Sequence, residues 1–469
     1  MFSCLVFAQE NEFGSHLVKD GETLYSIARS YYITVADIKE VNKNIENNNI
    51  KVGQEILIPK TVRNSSMFSD DKNTLDEQAL FPSKKKTKEK PQKINKNRIN
   101  IAMMLPLFYD DIDELSFNQY NIEEKKIQNN RKPYKCFSYV SFYEGARIAL
   151  DKLEKQGCKV SLYVFDVGDD VEKMKKALEY PEIKNMDLII PLVFKNSFEV
   201  LSTFAKQNHI PLVNPMSTAE SILDNEFVFK IQPSETSEAK TIMTYISEKY
   251  KNSQIIVLFD DANTPNDVLK WYKENISNYA QDDSWTMLNY RKNATKLKNY
   301  LKQGKKNIII NIVESKNVDY NKTYSNKILQ SLSALKGSYD IMLFGQPEWL
   351  DYNNIDYTCL DKVDFHFTRT YLNDYTNPNF VSFVKDYRKH FKTEPDKIYA
   401  ALGYDIMTYF VLVLREKDKE FLKNPNIKGV QDMINHYRFK KAKENFGWEN
   451  ETSTIYKVYN YKIQSEWSY

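Results

Sequence analysis

The chain has 469 residues, a formal net charge of +3 and 42% hydrophobic residues. That length provides for two or three domains, and a charge so near neutral on so long a chain excludes nucleic-acid binding through a strongly basic surface. No stretch approaches the roughly 20 consecutive apolar residues of a membrane span; the most apolar late run, Ile406 to Leu414, is about half that length and reads as a core helix.

The first ten residues, MFSCLVFAQE, form an apolar run whose small-residue end at Val6, Phe7 and Ala8 is that of a secretory signal peptide lacking its basic start. Residues 1–8 are therefore expected to be a signal remnant cleaved after Ala8. A lipid-bearing Cys4 is the other reading, but Met1-Phe2-Ser3 leaves no room for an apolar segment before it.

From His16 to Lys60 the pattern predicts a strand, a tight turn, two helices and a second strand at Glu55 to Ile58. Thr23 and Thr34 are expected helix caps. Leu24, Ile27 and Ala28 form one inward stripe, and Val35, Ile38 and Val41 the other. The order GETLYSIA, then Asn42, then KVGQEILIP resembles LysM modules over its whole length. The resemblance implies binding of N-acetylglucosamine chains such as peptidoglycan or chitin. The groove lies between the loop after the first strand, here Asp20, Gly21, Glu22, Thr23 and Leu24, and the loop before the last, here Asn49, Ile50, Lys51, Val52 and Gly53. Ile50 and Val52 are the expected apolar contacts for the sugar.

Residues 61–98 turn polar and charged, ending in SKKKTKEKPQKINKNR, with no apolar period; this is expected to be a flexible basic linker. A globular α/β body then runs over 99–469. Ile99 to Leu107 is continuously apolar, as in a central parallel strand. A long polar loop over Phe108 to Tyr139 is expected to leave that strand at the edge of any cleft and to cover it. Ser141 and Glu144 read as a capping box that opens a helix stopped by Gly157. Strands at 160–165, 187–191, 211–214 and 227–231 alternate with helices, and the alternation restarts after Ile231 with strands at 254–259, 307–312 and 339–344. Alternation of this kind predicts two lobes, each a doubly wound parallel sheet.

The helix FYEGARIALDKL, the strand DLIIPL, the segments HIPLVNPMST and FVFKIQPS, and the late stretch FVSFVKDYRKHFKTEPDKIYAALGYDIMTYFVLVL resemble the type 1 periplasmic binding protein fold in its leucine/isoleucine/valine-binding branch. The resemblance places lobe 1 at about 99–232 and 372–445, lobe 2 at about 235–365, and C-terminal strands at about 452–466, with crossings near Pro233 and near His366 to Tyr371. It implies a ligand cleft between the lobes, in which Ser217 and Thr218 match the hydroxyl-bearing loop that holds amino acids and Ser197 lies near the family's other serine loop. A helix cap before Ala219 is the alternative role for Ser217 and Thr218. Ile190-Pro191 departs from the family by lacking a glycine after the strand.

No GxSxG, P-loop or GxGxxG motif occurs, and SxxK at Ser382 to Lys385 lacks its KTG or SDN partners, so no enzyme is expected. Cys4, Cys136, Cys158 and Cys359 show no CxxC spacing, and the five histidines are scattered, so neither metal nor cofactor is expected. The function expected is a non-catalytic, exported, periplasmic protein that binds peptidoglycan through its LysM module and a small solute, an amino acid or wall peptide, through its body. The alternative is a scaffold or regulator of peptidoglycan-synthesis proteins, using the same fold as an interaction surface.

Overall fold

A computed structural model describes residues 13–18, 24, 27, 35–45, 50–59, 98–108, 132–430, 432–441 and 443–468. The expected signal remnant and nearly all of the expected linker lie outside the described residues, as do Thr23, Ala28 and Thr34. The chain forms two compact units, an N-terminal module and the large body, taken here in turn.

In the module, β1 (Phe13–Leu17) and β2 (Glu55–Pro59) pair antiparallel, with His16 opposite Ile56, and α1 (Val35–Val41) packs beside them. Val18, Leu24, Ile27, Ile38, Ile45, Ile56 and Ile58 make the core. A unit this small encloses little, so one polar side chain matters greatly. Asn42, just past α1, is buried. Its amide donates to the carbonyls of Ile38 and Leu57 at 2.8 and 2.6 Å, and its oxygen accepts the Leu57 N–H at 2.7 Å. Helix end and strand are thereby joined through one residue.

The body carries two seven-stranded sheets. Lobe 1 contains β3 (Ile99–Leu105), β4 (Val160–Asp166), β5 (Leu188–Pro191), β6 (Leu212–Asn214), β7 (Val228–Lys230), β13 (Phe439–Lys441) and β14 (Trp448–Asn450), in the order β13-β14-β7-β6-β5-β3-β4. All neighbours are parallel except β13 and β14. Lobe 2 contains β8 (Gln254–Phe259), β9 (Trp285–Asn289), β10 (Lys306–Asn311), β11 (Asp340–Phe344), β12 (Phe365–Arg369), β15 (Thr454–Tyr459) and β16 (Lys462–Ser468), in the order β16-β15-β12-β11-β10-β8-β9. Its first five strands in sequence are parallel, and β15 and β16 close one edge antiparallel.

The central strands of each sheet are buried on both faces, which is why they are apolar almost throughout, whereas the edge strand β16 is mostly exposed. In β3, Ile101, Met103 and Leu105 face α2 (Lys132–Lys155), α8 (Pro378–Phe391) and α9 (Tyr399–Lys417), whereas Ala102 and Met104 face α3 (Val171–Leu178) and α4 (Lys195–Asn208). In lobe 2, α5 (Glu235–Lys249) and α6 (Asn266–Asn275) cover one face and α7 (Val318–Leu335) the other.

Three expectations are corrected. Helix α2 begins at Lys132, so Ser141 and Glu144 are interior to it and form no capping box. The buried stripe extends back through Phe142 to Tyr139, and the two polar side chains instead meet Tyr387 of α8, whose hydroxyl lies 3.1 Å from Ser141 Oγ and donates to Glu144. The end of the expected loop over Phe108 to Tyr139 is therefore helix; residues 109–131 lie outside the described residues. Finally, besides crossings at 231–234 and 370–377, a crossing at 451–453 takes the chain from β14 to β15, so the last two strands complete lobe 2. Gly157 does end α2, with φ +84°.

Helices α2 and α9 approach to backbone contact through two glycines. A Cβ on Gly145 would lie 1.9 Å from the Ala400 carbonyl oxygen, and one on Gly403 would lie 2.0 Å from that of Phe142. Neither neighbour is a flexible side-chain end, so alanine at either position must force the helices apart. Gly403→Ala is expected to destabilise the body by about 3 kcal/mol or more, read as a lowered midpoint in denaturant unfolding, whereas Gly337→Ala, with open space at its Cβ, leaves the midpoint almost unchanged.

Candidate functional site

In open parallel sheets the loops at the carboxyl ends of the strands form the ligand crevice. In lobe 1, Asp166 ends β4 and its Oδ1 accepts the N–H groups of Leu107, Phe108 and Gly168 at 2.9, 3.1 and 3.0 Å, drawing the loops after β3 and β4 together. Asn214 ends β6, and its Oδ1 accepts from Met216 and Ser217 N–H at 3.1 and 2.7 Å. Ser217 is half-buried and Thr218 exposed on this loop; the Ser217 hydroxyl accepts the Ala219 N–H at 3.2 Å. Ser197 lies in the first turn of α4, after β5, but is buried. Ser217 and Thr218 thus stand in the loop past the carboxyl end of β6, and Ser197 in the first turn of α4, where it is buried.

Where the chain crosses between lobes, the sequence reading missed the main polar cluster. Lys230, in β7, is fully buried; its Nζ lies 2.9 Å from Glu449 Oε1 in β14 and donates to the Gln232 carbonyl at 2.7 Å. The same Glu449 oxygen accepts the N–H of Ser234, the cap of α5, at 2.5 Å. Burial pushes the Glu449 carboxyl up, but Lys230 and Ser234 outweigh it and hold the carboxyl below its ordinary range. Next to it, Asn450 donates to the Ile231 carbonyl at 3.0 Å and accepts the Thr452 N–H at 3.1 Å. The crossings at 231–234 and 451–453 are therefore stitched to each other. A lysine inside the apolar run FVFKI was the one sequence signal available, since a buried lysine demands a partner.

In the module, Leu24 is a core residue and Ile50 packs against that core, whereas Lys51 and Val52 are exposed, Val52 by 65%. Gly53, at φ +82°, donates to the Val18 carbonyl at 2.7 Å and fixes this loop beside the end of β1. Asp20, Gly21, Glu22, Thr23 and Asn49 lie outside the described residues. Among the described residues, no group of three or more His, Cys, Asp or Glu side chains is arranged to hold a metal ion, and no helix is long and apolar enough to cross a membrane.

The module is thus built on two paired strands, and the body on two doubly wound lobes joined by three crossings. Residues 16–59 match the family model of the LysM domain. The body is similar to a protein described as a branched-chain amino acid ABC transporter from Rhodospirillum rubrum, at 12% identity and a TM-score of 0.55, over 79% of this chain and 100% of that one. It is also similar to a branched-chain amino acid ABC transporter periplasmic ligand-binding protein from Burkholderia xenovorans LB400, at 10% identity and a TM-score of 0.52, over 79% of this chain and 95% of that one. A third likeness, to an ABC-type branched-chain amino acid transporter from Rhodopseudomonas palustris, has 14% identity and a TM-score of 0.50 and covers 79% and 96% of the two chains. At these identities the likeness is one of fold. No curated protein matches the chain.

Removing one member of a buried ion pair leaves the other charge without compensation, whereas removing both does not. Lys230→Met is therefore expected to cost about 3–5 kcal/mol in denaturant unfolding, and the double variant Lys230→Met/Glu449→Leu to recover most of that loss. In the module, Asn42→Ala leaves the Leu57 amide without its side-chain partner. It is expected to cost about 2–3 kcal/mol, read as earlier loss of amide protection in residues 50–59 by hydrogen exchange.

Proposed function

We propose that this protein is a non-catalytic, wall-associated binding protein, whose LysM module holds the N-acetylglucosamine chains of peptidoglycan and whose two-lobed body closes on a small solute. The observation that carries the reading is the combination of the two units: a LysM match over residues 16–59 ahead of a body whose two parallel-sheet lobes are joined by stitched crossings. In the module the exposed Lys51 and Val52, on the loop held by Gly53, offer a polar and an apolar contact, as an acetamido sugar requires. Asp20, Gly21, Glu22, Thr23 and Asn49 complete the proposed groove.

In the body, the Ser217 and Thr218 loop is the proposed lobe 1 half of the solute site, with Asn214 setting its conformation. The structures similar to the body are described as branched-chain amino acid transport proteins, which supports an amino acid or a wall-peptide fragment as the solute class. Access to peptidoglycan places the protein outside the cytoplasmic membrane, in the periplasm.

Deletion of residues 16–59 is expected to abolish co-sedimentation of the protein with purified peptidoglycan while leaving the far-ultraviolet dichroism of the body intact. Continued pelleting of the deleted protein would remove the module from the role of tether.

A further inference from the structure

Each sheet of the body ends in two edge strands, and an edge strand left open offers a row of amides and carbonyls to any other strand. Three of these edges are guarded. β13 has three residues, two of them Lys440 and Lys441. β16 opens with Lys462, has an irregular register opposite Ile455 and Tyr456, and pairs its Glu466 with Lys457 at 2.6 Å. β9 is followed at once by residues 290–301, whose Leu297 and Leu301 share a core with its Leu288. The remaining edge, β4, has seven residues, VSLYVFD, in unbroken register with β3 and without lysine, proline or bulge. Among the described residues no strand pairs with its outer side.

All seven residues of β4 are only half-buried, although most are apolar or aromatic. Val160, Leu162 and Val164 pack on the core beneath α2, and Tyr163 and Phe165 on the core beneath α3. Tyr180, whose ring centre lies 5.7 Å from that of Phe165, is exposed. The direction of the backbone groups follows from the bonds at the two ends of the strand. The Lys159 carbonyl accepts the Ile99 N–H, and the Val167 N–H donates to the Leu105 carbonyl, both at 2.9 Å. Because a strand repeats every two residues, Ser161, Tyr163 and Phe165 also turn their backbone groups to β3. Val160, Leu162, Val164 and Asp166 turn theirs outward.

The strand is complementary to itself run the other way. About a two-fold axis at Tyr163, Leu162 of each copy stands opposite Val164 of the other, and Val160 opposite Asp166. These are the residues whose backbone groups point outward, so each pair can exchange two hydrogen bonds. Tyr163 meets Tyr163, an aromatic pair of the kind that stabilises sheets, and Ser161 meets Phe165. The exposed Lys159 at the start of one strand comes to the end of the other that carries Asp166 and Asp169, so opposite charges meet. β13 lacks this property, since self-pairing about its centre would set Lys440 against Lys440.

We propose that the outer edge of β4 is an interface between two copies of this chain, paired antiparallel about Tyr163, so that two lobe 1 sheets become one continuous sheet. An antiparallel strand already extends a parallel sheet in this way within lobe 2, where β15 pairs with β12. The dimer carries two LysM modules. The firmer hold on the wall that follows rests on the glycan reading above, whereas the interface itself does not.

The test is sedimentation velocity of the full chain over a concentration series, beside the variants Tyr163→Lys, Tyr163→Cys and Ser161→Cys. A reversible dimer is expected, with a Kd at least about tenfold higher in Tyr163→Lys, where two ammonium groups oppose each other on the axis. Under oxidation Tyr163→Cys is expected to form an intermolecular disulfide above the background of the parent chain's own cysteines, because its Cα atoms lie about 4.5 Å apart across the axis. Ser161→Cys, on the same face of the strand, leaves its Cα atoms about 13 Å apart and is expected to form none. The cysteine variants decide the register even where Tyr163→Lys fails to fold. A monomer at every concentration overturns the interface, as does a dimer unchanged in folded Tyr163→Lys, or cross-linking of Ser161→Cys as readily as of Tyr163→Cys. A monomer whose Leu162 and Val164 amides are protected from exchange gives the edge to another segment of the same chain, and equally overturns it.

Discussion

The contact on which the body depends is the buried junction of Lys230, Glu449 and Ser234. A charge removed from water persists only if its partner and the remaining hydrogen-bond positions are well placed, and here one Glu449 oxygen meets both the lysine of a neighbouring strand and the first amide of the helix that opens the other lobe. With Asn450 bridging Ile231 and Thr452, two of the three crossings become one rigid seam. The third crossing is held to lobe 1 differently, by Asn377 on the Ile434 carbonyl and by the Tyr371 and Tyr437 hydroxyls. Any opening of the lobes therefore turns about the seam rather than through it, since breaking it would leave a buried charge uncompensated.

Much of the fold was legible because parallel strands covered on both faces are apolar without interruption. INIAMML, QIIVLF and NIIIN could be read directly as strands, and the alternation of strand and helix supplied the two lobes. What was not legible depended on contacts between segments far apart in the chain. Ser141 and Glu144 have the spacing of a capping box, but that local signal gives way to Tyr387, which no pattern near residue 141 announces. The final strands were legible as strands and not as members of lobe 2, because a sheet edge is assigned by its partner, here β12.

The candidate site was legible in part for the same reason. Ser217 and Thr218 stand in one short loop, so sequence alone could gather them. Lys230 and Glu449 belong to strands that become neighbours only when β14 docks on β7. Leu24 was legible twice over, in the loop pattern and as the first residue of an inward stripe, and its side chain belongs to the core.

The interleaving of the lobes also bears on the order in which the chain can fold. Lobe 1 needs α8, α9, β13 and β14 to cover β3 and extend its sheet, and the backbone contact of Gly145 with Ala400 joins its first helix to its last. Lobe 2 in turn lacks an edge until β15 and β16 arrive. Neither lobe can therefore complete its sheet until nearly the whole polypeptide has been made. Such dependence on distant segments slows folding, and it keeps a growing chain open until its C-terminal residues are in place.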